Sequence, residues 1–235
     1  MAYYKDLREH LEAIEKQGKL IRIKREINKD TQLHPLVRLQ FRGLPEEQRK
    51  AFLFENVIDS KGKKFDSSVA VGVLSATTEI YAIGMMCKPE EIGEKWFQAQ
   101  VHPIAPRIVA NGPFHEEVHM GDNLLEHGGL DEFPIPISTP GYDIAPYFSS
   151  PYWVTKDPET WIRNVGTYRV QVKSETRTGI YMGGAGDQHI SLHYRKCLEL
   201  GVPLEAAIVV GTSPNIGYLS VSKLPVGVDE FTIAG

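Results

Sequence analysis

Asn164-Val165-Gly166-Thr167-Tyr168-Arg169-Val170-Gln171 places an amide and an arginine in one short, partly apolar run. The run over 165–172 predicts a strand, and Ile180-Tyr181-Met182 predicts its partner across a turn at 174–179. Downstream come Gln188-His189 and then Asp229-Glu230. An amide oxygen, an imidazole and a carboxylate are suitable donors for a hard or borderline divalent cation such as Mn2+. Arg169 adds a planar fork able to hold a carboxylate or phosphate. The chain therefore holds ligands for a cation and for an anion. The apolar run Phe231-Thr232-Ile233-Ala234-Gly235 reads as a chain cut inside a domain.

Working outward, Ser191 to Leu200 predicts a helix closed by Gly201 and Pro203, and Ala206 to Val210 a buried strand. Towards the N-terminus, Asp6 is placed to cap a helix carrying Leu7, Leu11 and Ile14, with Gly18 as its stop. Leu20 to Lys24 reads as an edge strand, and His34 to Arg38 as the entry to a second helix. Phe52-Leu53-Phe54 and Ser68 to Leu74 are short apolar strands, with Lys61-Gly62-Lys63-Lys64 in a hairpin turn between them. Residues 88–98 predict a third helix that begins at Pro89 and faces inward with Ile92, Trp96 and Phe97. From 102 to 158 prolines are dense and long helices are disfavoured, so ordered loops are expected there. Embedded aromatics such as Tyr147, Tyr152 and Trp153 argue against disorder. The expected class is mixed α/β, with a domain boundary near residue 115.

At 42% hydrophobic and 24% charged, the composition is that of a chain that buries a core. A formal charge of −4, without a basic face, points away from nucleic acid. No apolar run approaches the roughly 20 residues of a membrane span, and the start is unlike a signal peptide. Cys87 and Cys197 lack metal or CxxC spacing and read as two buried, reduced thiols. A cytoplasmic protein, or part of one, is the expectation.

At these residues the chain resembles the UbiD family of reversible decarboxylases, which use prenylated flavin mononucleotide. Tyr4 to Leu11 with Glu15 to Leu20 is similar to that family's opening. Asp157-Pro158 followed by Asn164 to Val172 carries its most specific motif. His189 before a helix, Gly211-Thr212-Ser213-Pro214 and Glu230 to Gly235 follow in the family's order. The resemblance spans essentially the whole chain and matches the first half of longer family members. It implies a small N-terminal α/β domain (1–115) followed by an incomplete part of a flavin-reductase-like split β-barrel (116–235).

The resemblance further implies that Asn164, His189 and Glu230 bind the Mn2+ that ties down the cofactor phosphate. Val165, Gly166, Thr167, Tyr168 and Gln188 would line the flavin. Arg169 would stand beside the substrate carboxylate in a Glu–Arg–Glu network whose glutamates lie beyond this chain. A K+ or Na+ would sit on Leu219, Ser220, Ser222 and Glu230. The implied reaction is decarboxylation or carboxylation of an aromatic, heteroaromatic or α,β-unsaturated acid, with CO2 as product or substrate. A flavin prenyltransferase would supply the cofactor, and a homo-oligomer is the expected assembly. This chain alone is expected not to turn over. The charge logic agrees, because a buried flavin phosphate needs a compensating cation. Gly166 would let the backbone approach the cofactor closely.

Three other readings compete. The chain could be a non-catalytic cofactor-binding subunit of a multi-subunit carboxylase. His115-Glu116-Glu117-Val118-His119 matches the zinc-peptidase string, but Pro113 and Gly121 bracket too few residues for the helix it needs, and no third ligand is apparent. A strand at the domain boundary is the expectation for it. Gly183-Gly184-Ala185-Gly186 lacks the Lys-Ser/Thr of a phosphate loop and is expected to be a turn that presents His189.

Overall fold

The structure, a computed structural model, describes residues 3–182 and 188–235. Helix α1 (Leu7–Lys16) starts where the Asp6 carboxylate accepts the Arg8 and Glu9 N–H groups, and Gly18 leaves it at φ +69°. Strand β1 (Leu20–Ile23) follows, then β2 (Ile27–Asn28), α2 (Leu33–Gly43), β3 (Ala51–Phe54), β4 (Val57–Ile58), β5 (Lys64–Phe65) and β6 (Val69–Val71). The first sheet has the order β1-β3-β6, with β1 parallel and β6 antiparallel to β3. The basic run does form a turn. Gly62 takes φ +84° there, while Asp59 accepts the N–H groups of Lys61 and Lys63.

Strand β3 shows why Ala-Phe-Leu-Phe reads as a continuous apolar run. Ala51 packs with Ile14, Val73, Ile80 and Ile83, whereas Phe52 and Phe54 pack with Ile27, Leu33, Val37 and Val57. The strand is central and covered on both faces, so it has no polar side to alternate with. Helices α3 (Thr78–Met85) and α4 (Ile92–Val101) complete this half. Ile92 and Trp96 are half-buried, and Trp96 donates its indole N–H to Tyr81 Oη at 2.6 Å. Phe97, expected to face inward, is 57% exposed. The inward arc of α4 is narrower than periodicity implies, because α3 and α7 together cover only part of its surface.

Between His102 and Gln188 the described residues contain no α-helix. Single 3-10 turns occupy 113–115, 121–123 and 129–132. The His115–His119 string lies in such a turn and the irregular chain after it, not in the expected strand. Two antiparallel three-stranded sheets follow, the open β architecture expected of part of a split barrel. One has β10 (Val170–Ser174) between β7 (Tyr147–Phe148) and β11 (Arg177–Ile180). The other has β8 (Tyr152–Lys156) between β9 (Arg163–Thr167) and the edge strand β12 (Ala206–Val209).

The strand expected over 165–172 is thus two strands in two sheets, broken at Tyr168-Arg169, and its hairpin partner ends at Ile180 rather than continuing to Met182. Ala206 to Val209 is an edge strand with its first residues exposed, not a buried one. Helix α5 (His189–Leu200) ends at Gly201 with φ +69°, as its sequence predicts. Helices α6 (Pro214–Leu219) and α7 (Phe231–Ala234) complete the chain. Cys197 is buried, but Cys87 is only half-buried, and neither is in a disulfide. No described helix is long and apolar enough to cross a membrane.

Helix α6 docks on α3 through Tyr218. Its hydroxyl donates to Leu74 O at 2.9 Å, and its ring stands edge-on to Tyr81 at 4.4 Å. A Cβ at Gly84 would overlap the Tyr218 hydroxyl. Gly84→Ala should therefore destabilise by about 1–3 kcal/mol through overpacking, although Ala is the better helix former. Gly93, on α4, faces open space, and Gly93→Ala should instead stabilise by up to about 1 kcal/mol. Thermal unfolding of the two variants should move in opposite directions. A neutral Gly84→Ala would remove this contact as the reason for the glycine.

Candidate cation and cofactor site

Strand β9 is the backbone of the site. It is fixed at its start by Arg163, whose Nε and Nη2 reach Asp229 Oδ2 at 2.9 and 2.7 Å. Asp229 also accepts the Phe231 N–H, so one carboxylate ties β9 to the start of α7. This clamp sets Glu230 beside the strand. The Val165 N–H donates to Glu230 Oε2 in a short contact, and Glu230 Oε1 lies 3.5 Å from His189 Nδ1 at the start of α5. Asn164 and Glu230 are 4% and 2% exposed. The Asn164, His189 and Glu230 side chains, far apart in sequence, thus gather around one strand.

A second carboxylate holds α5 to the same hairpin. Asp157 accepts the Glu159 and Thr160 N–H groups and the Lys196 ammonium, the last at 2.7 Å. Burial alone would raise its pKa, but Lys196 and the two N–H groups outweigh that and bring it down to about 2. Thr155, paired with Asn164 across the sheet, bonds His193 Nδ1 at 2.9 Å and gives α5 a further anchor. The Asp157-Pro158 element of the motif is therefore structural: it sets the spacing between β9 and the helix that bears His189.

Whether these residues suit a cation can be tested on their unmet polar groups. Asn164 Nδ2 and Gln188 Oε1 are buried without a hydrogen-bond partner among the described residues, which costs about 1–3 kcal/mol each unless something else satisfies them. Turning the Asn164 amide over would present its oxygen instead. Burial pushes the Glu230 carboxyl up to about 7; the Val165 N–H opposes this and Asp229 adds to it. A divalent ion would reverse that shift by supplying the missing positive charge. The donor set, an amide, an imidazole and a carboxylate, fits a Mn2+-class ion.

The raised Glu230 has a consequence for stability when no cation is bound. The folded state holds the proton more tightly than the unfolded chain, whose carboxyl titrates near 4.5. Stability from this group is therefore present in full below about pH 4.5 and is lost as pH rises through about 7, roughly 3 kcal/mol in all. Chelator-treated protein should melt lower at about pH 8 than at about pH 5, and Glu230→Gln should flatten that slope. An unchanged slope in the variant would assign it to other groups.

The remaining expected residues lie as follows. Thr167 is tied to the start of the 219–222 segment, its N–H to Ser220 O at 3.0 Å and its hydroxyl to Ser220 Oγ at 2.7 Å. Ser220 Oγ also donates to Gly217 O, and Ser222 Oγ turns back onto Tyr218 O. Leu219 is buried, and its carbonyl accepts the Ser222 N–H. Gly166 has a reason other than approach to a cofactor. A Cβ there would stand 2.7 Å from the Tyr168 hydroxyl, because the Tyr168 ring folds back over the strand. The Tyr168 pKa is raised by burial and by the Glu230 charge. Gly183 to Gly186, expected to present His189, lie outside the described residues.

Arg169 stands on the short break between β9 and β10, 46% exposed. Its guanidinium lies 3.8 Å from the Tyr147 ring centre, and its Nη2 donates to Asp143 Oδ2 at 2.7 Å. Burial works to raise the Asp143 pKa, but Arg169 and the Thr139 N–H hold it below the usual range. Burial, with the neighbouring Arg38 and Arg169 charges, lowers the pKa of His34 at the start of α2, against the opposing Asp143 charge. Sequence reasoning missed Asp143, Tyr147, His34 and the Arg163–Asp229 clamp. None has a local pattern that separates it from a surface residue.

Comparisons with known proteins identify the family of the chain. The sequence model of the 3-octaprenyl-4-hydroxybenzoate carboxy-lyase N-terminal domain matches residues 11–100, and that of its Rift-related domain matches 107–235. An uncharacterized protein of Aquifex aeolicus is 30% identical over 99% of this chain and 49% of its own length. The phenolic acid decarboxylase of Sedimentibacter hydroxybenzoicus is 28% identical, over 99% of this chain and 48% of the relative. The solved structure of an evolved dimeric form of the UbiD-class enzyme HmfF from Pelotomaculum thermopropionicum, in complex with prFMN, superposes with TM-score 0.83. The two are 29% identical over 98% of this chain and 50% of that one. The chain thus spans about half the length of the relatives it matches. With more than half of its residues in the Rift-related match alone, the chain belongs to the 3-octaprenyl-4-hydroxybenzoate carboxy-lyase (UbiD) family.

Proposed function

We propose that this chain is the cofactor-holding half of a UbiD-class lyase that decarboxylates, or carboxylates, an unsaturated or aromatic acid with prenylated FMN. The observation that carries the reading is the cluster of the buried Asn164 and Glu230 with the half-buried His189, and beside it two polar atoms, on Asn164 and Gln188, without a partner among the described residues. These three side chains would hold Mn2+, and Val165 to Tyr168 with Gln188 would line the flavin. Leu219, Ser220, Ser222 and Glu230 would offer oxygens to K+ or Na+. When bound, prenylated FMN supplies an electron sink for the carbon that loses CO2.

The chain's own contribution is positioning. Arg169, with one edge of its fork held by Asp143, can present its other N–H groups to a substrate carboxylate. The Tyr147 ring keeps the guanidinium plane fixed, so less freedom is lost on binding. Reprotonation of the carbon needs an acid that we place outside these residues. The proposed domains are 1–115 and 116–235, and the proposed assembly is a homo-oligomer supplied by a flavin prenyltransferase.

Co-expressed with such a prenyltransferase, the protein bearing this chain should purify with flavin absorbance and about one Mn2+ per chain, and chelation should release both. Protein that stays colourless after reconstitution with prenylated FMN and Mn2+ would overturn the reading.

A further inference from the structure

We infer that Glu117, His119 and His127 form a second divalent-cation site, of the zinc class, in the irregular segment between the two halves of the chain. One donor atom from each of the three lies within 4.8 Å of the other two. Glu117 Oε1 stands 2.9 Å from His119 Nε2 and 3.1 Å from His127 Nδ1, and the two rings are 4.5 Å apart. Ligands 2.0–2.1 Å from a shared tetrahedral ion are about 3.4 Å from each other, so side-chain adjustment of a few tenths of an ångström to about an ångström suffices.

Three further features point to a cation rather than to a carboxylate–imidazole contact on the surface. His119 Nδ1, the nitrogen facing away from Glu117, is shielded from solvent and has no hydrogen-bond partner among the described residues. It lies 3.6 Å from Glu126 Oε2. A histidine that ligates through one nitrogen and turns the other toward a carboxylate is the usual outer arrangement at metal sites. Glu132 Oε1, 3.6 Å from His127 Nδ1, stands outside the mutually close group but gives the second imidazole a neighbouring carboxylate as well. Three carboxylates around two imidazoles also leave an excess of negative charge that a divalent ion would neutralise.

The segment has reason to need such a clip. It contains only 3-10 turns, and few bonds tie it down, among them Lys63 Nζ to Asp131 O and Leu130 N–H to Glu175 O. An ion joining Glu117 to His127 would close a loop of about ten residues, and because it binds the folded segment its binding free energy would hold that segment in place. The string His115 to His119 thus supplies two metal ligands, Glu117 and His119, without being a peptidase helix. His115 bonds the Gly112 N–H instead, and the partner of His119 lies eight positions downstream.

The test is Zn2+ binding to the purified protein bearing this chain, read by competition with a chromophoric chelator. His189→Ala is used alongside, to remove ions held at the other centre. In the His189→Ala background one tight Zn2+ equivalent is expected. Adding His119→Ala and His127→Ala should weaken it by at least about 100-fold, and Glu126→Gln by about 10–100-fold. Hydrogen exchange at 113–132 should slow on adding Zn2+ only when the two histidines are present. Glu117→Gln, which preserves shape and does not threaten the fold, should also lose the equivalent. Unchanged Zn2+ occupancy in the double-histidine variant, or no zinc-dependent protection at 113–132, would overturn the site. Loss of flavin binding would not bear on it, because none of these residues belongs to the Asn164 cluster.

Discussion

Glu230→Ala, made in the protein bearing this chain, is expected to abolish retention of both Mn2+ and flavin. Glu230 is the one carboxylate in a cluster whose other donors are neutral, and it is 2% exposed. Removing it takes away the charge that lets a divalent ion leave water for a buried site. It also frees the Val165 N–H, which donates to it from the middle of β9. Metal affinity should fall by well over 100-fold, beyond the loss caused by disturbing an outer partner. Metal analysis and flavin absorbance on the same preparation check this, with circular dichroism to confirm folding. Glu230→Gln keeps the N–H contact and should show the same loss with less structural cost. Normal cofactor loading in Glu230→Gln would remove the cluster from the cofactor role.

Arg169→Ala should separate binding from turnover. Arg169 touches Asp143 and the Tyr147 ring, but neither Glu230 nor His189, so cation and flavin retention should stay near the parent level. Turnover should fall by about 10²–10³-fold, the scale at which loss of one preorganised charged donor is felt. Arg169→Lys should recover little, because an ammonium cannot present a planar fork or stack on Tyr147 in the same way. Asp143→Asn should give an intermediate result, since it leaves the arginine charged but less firmly held. An Arg169→Ala protein with full activity would exclude the role. Loss of flavin in that variant would mean that the residue acts on the cofactor instead.

Asp6 and Gly18 mark the ends of α1, and Gly201 the end of α5, because caps and left-handed turns are specified by local chemistry. The continuous apolar run of β3 announces a strand covered on both faces. Asn164, His189 and Glu230 stand out because amide, imidazole and carboxylate side chains in that order fit the family's motif.

Other features depend on contacts that no local pattern encodes. The break of the 165–172 run at Tyr168-Arg169 arises because β9 and β10 join different sheets. The exposure of Phe97 and of the start of β12 depends on what the rest of the chain leaves uncovered. Asp143 becomes the partner of Arg169 from 26 residues away. Asp229 becomes the clamp on Arg163 from 66 residues away. His119 meets His127 only because the chain between them doubles back through a 3-10 turn.

The sequence by itself determined the mixed α/β class, the helix ends and the donor types available for a cation and an anion. These follow from backbone propensity and side-chain chemistry, which act over a few residues. The tertiary structure alone decided which strands pair, which carboxylate is buried enough to shift its pKa, and which groups meet across long stretches of chain. Those outcomes depend on packing and on local dielectric, which exist only once distant segments have come together.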